Sequence, residues 1–135
     1  FTKISDGTET TVTVSGSTEF LPCTFAFSFA GAAAVAHVST VNNPPAASNT
    51  DGAYALAIAY DFTAGSNPDL SVTMPSGYTQ LYAQDNGSLG TWTPSLIIGY
   101  KTSSAANENP AAFGSWSPNG SWGTATVTVN KSGRI

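Results

Sequence analysis

The chain has 135 residues, the length of one domain and enough to bury a core without disulfides or metals. Only 9% of its residues are charged, against about 25% in ordinary soluble domains, while 41% are hydrophobic and 11% aromatic, which is too apolar for a disordered coil. The net charge of −4 and the scattered basic residues Lys3, Lys101, Lys131 and Arg134 argue against nucleic-acid binding, and the single cysteine, Cys23, excludes a disulfide-stapled fold.

The predicted elements are short strands. Thr8 to Val14 is a β-branched run behind Asp6-Gly7, with Ser15-Gly16-Ser17 as its turn. Phe25, Phe27 and Phe29 alternate with Thr24, Ala26, Ser28 and Ala30 in a second strand that Gly31 breaks. In Ala32 to Val38 the alanines favour helix and the valines favour strand, with the balance toward strand. The region from Phe25 to Val38 is too short and too polar for a membrane span, and no signal peptide is recognised. Asn42 to Thr50, with Pro44-Pro45, reads as a loop.

The organising stretch is Asp51 to Asp61. Tyr54, Leu56, Ile58 and Tyr60 take one face of a strand and Ala53, Ala55, Ala57 and Ala59 the other; a helix would scatter the large residues around its circumference. Such a strand belongs mid-sheet, covered on both faces. Leu70, Val72 and Met74 predict a half-buried strand, and Pro75-Ser76-Gly77 a tight turn into a strand from Tyr78 to Ala83. Asp85 to Pro94 reads as a loop carrying Trp92, Leu96 to Lys101 as a strand and Ala105 to Pro110 as a loop. Phe113 to Trp116 and Trp122 to Asn130 close the domain around Ser117-Pro118-Asn119-Gly120. In the last strand Gly123, Ala125, Val127 and Val129 share a face and the threonines take the other. The pattern predicts an all-β chain: an antiparallel β-sandwich, jelly-roll-like, of about eight or nine short strands. Residues 1–135 read as a single domain, with 131–135 as a basic tail or linker.

No constellation for catalysis stands out. His37 is the only histidine, no Gly-x-Ser-x-Gly elbow is present, and a Cys23–His37 pair rests only on each being the sole residue of its kind. One cysteine and one histidine cannot build structural zinc. Asp51, Asp61, Asp69 and Asp85 sit at predicted strand ends without the spacing of a calcium loop, and read as solvated turn carboxylates. Glu9, Glu19 and Glu108 extend the carboxylates available to a glycosidase, and spacing pairs none of them. The glycosylation patterns at Asn86, Asn119 and Asn130 are expected by chance in this composition. No metal or cofactor is expected. Among the aromatics, Trp92, Tyr82 and Trp116 are the candidate ligand contacts, with Trp122, Tyr78 and Tyr100 also available for stacking on sugar rings.

From Asp51 onward the order of features resembles a β-sandwich module recurrent in tailed-phage virion proteins and related bacterial surface proteins. The matching features are Asp51-Gly52 before the alternating strand, Pro75-Ser76-Gly77-Tyr78-Thr79-Gln80-Leu81 and Leu96-Ile97-Ile98-Gly99-Tyr100-Lys101-Thr102. Glu108 in an acidic loop and Trp116-Ser117 to Trp122-Gly123 complete the series. Two departures stand beside it: Tyr78 takes the place of the module's usual tryptophan, and Ser17 to Asn49 is longer than its counterpart. The resemblance implies a non-enzymatic virion protein, a capsid decoration or head fibre or a tail-associated surface domain, located on the particle. Its partners would be self-copies and other capsid or tail proteins, with a host surface glycan as a further partner, and no membrane insertion. The alternative is a carbohydrate- or receptor-binding module that uses exposed aromatics.

Overall fold

The computed structural model describes residues 33–48, 54–64, 72–85, 92–103, 105–115 and 121–129. These residues form seven strands: β1 (Ala33–Ser39), β2 (Ala47–Ser48), β3 (Tyr54–Ala64), β4 (Thr79–Asp85), β5 (Trp92–Thr102), β6 (Asn107–Glu108) and β7 (Ser121–Val129). The chain is all-β, with no helix among the described residues and hence none long and apolar enough to cross a membrane. The strands expected at Thr8 to Val14 and Thr24 to Ala30, Cys23 and the 131–135 tail lie outside the described residues.

Five strands build an antiparallel sheet in the order β1-β7-β3-β5-β4, and β2 pairs with β6 in a second. The pairings β1–β7, β2–β6 and β3–β5 are nested, as in one long antiparallel ribbon, and the further pairing of β3 with β7 rolls that ribbon up. This is the connectivity of a jelly-roll sandwich. The second layer reaches beyond its two short strands. Phe113 donates its N–H to the Asn42 carbonyl at 3.0 Å, continuing the register that sets Ala47 opposite Glu108. Pro44, Pro45 and Pro110 supply no N–H, so this ribbon carries its backbone bonds at its ends. Thr73 and Gly114 exchange two more, at 2.8 and 3.0 Å, and bring residues 72–74 alongside.

The expected alternation of the organising strand is present in β3, which lies mid-sheet. The depth of its two faces differs from expectation. Ala55, Ala57 and Ala59 are fully buried, as is Leu56, whereas Ile58 and Tyr60 are half-buried and Tyr54 is 43% exposed. The small face is the deeper one because the second layer lies on it. Register places Ala34, Ala36 and Val38 of β1, Thr124, Thr126 and Thr128 of β7, and Ile97 and Gly99 of β5 on that same face. Phe113, Tyr78 and Met74 pack down onto it. The approach is close at Gly99, where a Cβ would lie 3.0 Å from Met74 Sδ and 3.3 Å from Tyr78 Cβ.

The threonines do more than fill space. Thr124 Oγ1 donates to the Val41 carbonyl at 2.8 Å and Thr128 Oγ1 to the Ser48 carbonyl, anchoring both ends of the proline-bearing segment along β7. Between them Thr126 Oγ1 is buried with no hydrogen-bond partner.

Several boundaries differ from the sequence reading. Trp92 to Pro94 extend β5 rather than forming a loop, because β3 runs on to Ala64 and pairs with them. The loops expected at 42–50 and 105–110 contain β2 and β6. The strand expected at Leu70 to Met74 is reduced, over its described part, to the bridge at Thr73, and the one at Phe113 to Trp116 to its partner Gly114. In the first, the alternation of Val72 and Met74 reflects packing against the alanine face.

Urea unfolding tests this reading of the small face. Ala57→Leu is expected to cost about 1 to 3 kcal/mol through overpacking. Thr124→Val is expected to cost about 1 kcal/mol, whereas Thr126→Val, which removes a buried unbonded hydroxyl at constant shape, leaves stability unchanged or raises it.

Candidate functional site

Two groups of side chains carry the polar chemistry of the described residues. The first lies where the second layer meets the sheet. Pro75 to Tyr78 form a turn closed by the Tyr78 N–H donating to the Pro75 carbonyl at 2.9 Å, with Gly77 at φ 82°, the left-handed position a type II turn requires. The turn sends the Tyr78 ring inward onto the alanine face. Lys101 shares the inward parity of Ile97 and Gly99, and its ammonium sits 4.9 Å from the centre of the Tyr78 ring. On β6, Glu108 is buried with 3% exposure and receives three donors. Lys101 Nζ lies 2.5 Å from Oε1, the Tyr78 hydroxyl donates to Oε1 at 3.1 Å, and Ser103 Oγ donates to Oε2 at 2.5 Å.

Burial alone would raise the Glu108 carboxyl. The hydrogen bonds from Lys101 and Ser103, the Lys101 charge and the Tyr78 bond outweigh it and hold the group below the usual carboxylate range. Burial, and after it the Glu108 charge, push the Tyr78 hydroxyl well above the usual tyrosine range, so it remains a donor. This is a clamp: an ionised carboxylate on the second layer held by three groups from the sheet side. Among the described residues no second carboxylate joins it, and the three donors point at one acceptor group.

The second group lies on the opposite face of the sheet, at the end where β3 passes Tyr60. Register aligns Gln84, Leu96, Tyr60 and Gly123 in one rung, and Tyr82, Ile98, Ile58, Ala125 and His37 in the next. Tyr60 lies across Gly123, where a Cβ would come within 2.5 Å of the tyrosine hydroxyl and 2.6 Å of the Val38 carbonyl. His37 Nε2 and the Tyr60 hydroxyl are hydrogen-bonded at 2.7 Å, with the rings inclined by only 16° and their centres 5.7 Å apart. The near-parallel rings, stacked with an offset and joined by that bond, form one aromatic tile. The Tyr82 hydroxyl donates to Gln84 Oε1.

The residues singled out from the sequence are dispersed. Tyr82 is half-buried on β4; Trp92 is in β5; Trp116 lies outside the described residues. Trp122 and Tyr78 pack into the alanine-side core, and Tyr100 is 38% exposed on the other face. Asp61 is buried on the alanine face of β3, with Asp85 two strands away in the same rung across Ser95. Asp51, Asp69, Glu9, Glu19 and the three asparagines of the glycosylation patterns lie outside the described residues. No group of three potential metal ligands occurs among those described. Among the described residues His37 meets the Tyr60 hydroxyl, and Cys23 lies outside them. The sequence reading missed the clamp; its one signal was Lys101, a charge on the inward parity of an apolar strand.

Comparison with known proteins found no matching family model and no similar curated protein or solved structure, so none of them identifies the virion module that the motif order resembles.

The clamp sets a pH dependence. Because the folded Glu108 value is depressed, its stabilisation is complete above the unfolded value of about 4.3 and is lost as pH falls through the folded value. The Tm of the native chain should therefore drop in acid more steeply than that of Glu108→Gln. Lys101→Met, which strands the buried carboxylate, is expected to cost about 3 kcal/mol at neutral pH.

Proposed function

We propose that this chain is a non-enzymatic structural protein of a virion surface, a capsid-decoration or head-fibre domain or a tail-associated one. The observation that carries the reading is the rolled, nested strand connectivity in a chain with 9% charged residues. The motif order seen in the sequence supports the same reading. Buried Thr124, Thr128 and Glu108, the last paired with half-buried Lys101, join one layer to the other. A surface this poor in charge keeps a free monomer in solution less well than a mixed charged one, and neighbours on a particle would cover part of it. The expected partners are other copies of the chain and other capsid or tail proteins.

Immunogold labelling of purified particles with an antibody raised against the chain tests this. Labelling at regular sites on heads or tails is the expected result. A chain recovered wholly in the soluble fraction, free of particles, overturns it. The second reading, a glycan- or receptor-binding module, is favoured by one specific observation, the tile of Tyr60 and His37.

A further inference from the structure

We propose that the Tyr60 end of the sheet is a binding site for a neutral saccharide. On this face Leu56 is buried, as is Ile98 in the rung between Ile58 and Tyr82, and the side chains around Ile98 toward the Tyr60 rung are more open. Ile58, Tyr60, Tyr82 and Leu96 are half-buried there, and His37 and Gln84 are exposed. The result is an apolar floor between two tyrosines, each with its hydroxyl oriented by a polar side chain.

The chemistry of these groups selects the ligand class. A pyranose ring is apolar on its C–H faces and polar around its rim. Flat aromatic rings match the first and side-chain amides and imidazoles the second. Gly123 matters here because only the absence of a Cβ lets the Tyr60 ring lie down on the sheet. His37, bonded to the Tyr60 hydroxyl, holds the ring in that plane and extends it with a second flat surface. Across the floor, Tyr82 and Gln84 stand two strands from Tyr60, about 10 Å away, a spacing that suits two linked sugar rings. The two rungs carry no Lys, Arg, Asp or Glu among the described residues, so nothing there favours a phosphate, a carboxylate or an ammonium group. A purely apolar partner would leave the exposed imidazole and amide facing hydrocarbon, a cost that sugar hydroxyls avoid.

The site does not depend on the virion reading, which rests on connectivity and composition. The test is a methyl-resolved NMR titration of the full chain with four neutral disaccharides: maltose, cellobiose, lactose and diacetylchitobiose. At least one should shift the Leu96 and Ile58 methyl signals saturably, while the methyls of Ala55 and Ala57 on the opposite face stay in place. His37→Ala and Gln84→Ala alter exposed side chains and should preserve the fold, read from unchanged Ala55 and Ala57 signals. Each should weaken binding about fivefold to tenfold by removing a hydrogen-bonding group. Three results overturn the proposal: no shift at Leu96 and Ile58 with any of the four sugars, shifts confined to another surface, or undiminished affinity in the His37→Ala/Gln84→Ala double variant.

Discussion

The close approach of the second layer to the alanine face of β3 is the constraint on which the described structure depends. A ribbon containing Pro44, Pro45 and Pro110 cannot hold itself together by a full ladder of backbone bonds. It is stable only when it lies flat on the five-stranded sheet, and it can do so only where side chains on that sheet are small. Ala55, Ala57, Ala59 and Gly99 provide the space, and the rings of Phe113 and Tyr78 fill it. Alanine at these positions is a poor choice for a strand judged by propensity alone, so the packing of the two layers outweighs the local preference.

Small residues make contact but give little direction, and polar groups supply it. Thr124 and Thr128 hold the two ends of residues 41–48 by their carbonyls, and Glu108 is gripped by Lys101, Tyr78 and Ser103 at the far side of the same layer. An ion pair with one buried partner adds little net stability compared with apolar residues of the same volume, because the Glu108 carboxylate loses its water. What it does here is select one register. A slip of the 107–113 segment by one residue would turn Glu108 to the other side of its strand and leave Lys101 facing the interior alone. With few charges elsewhere, this pair places the second layer while β3 and β7 provide the surface beneath it.

Those features that were legible in the sequence were the ones governed by a period of two. The faces of β3 and β7, the turn at Pro75-Ser76-Gly77 and the strand character of Ala33 to Ser39 all follow from alternation and turn chemistry. The depth order of the β3 faces was not legible, since large residues read as the core side until it is known that a second layer covers the alanines. Nor were β2 and β6, whose prolines and asparagines are loop residues by any local rule and pair only because the tertiary structure brings Ala47 opposite Glu108. Both polar groups were hidden for the same reason. Lys101 and Glu108 are seven positions apart with a strand end between them, and His37 and Tyr60 meet only because β7 separates their strands in the sheet.

Connectivity of this kind supports many functions, so the assignment of chemistry has to come from side chains. The two polar groups differ in a way that sorts them. The Tyr78, Ser103 and Lys101 donors of the clamp converge on one buried carboxylate, an arrangement that joins the second layer to the sheet. At Tyr60 the order is reversed: the tyrosine ring lies over Gly123 and bonds His37, while the side chains of His37 and, two strands away, of Gln84 are exposed. Rigid apolar surfaces bordered by exposed hydrogen-bonding groups lose little entropy when a ligand settles on them. On the proposed particle surface, repeated copies of the proposed site would turn weak binding of one sugar into firm attachment through many.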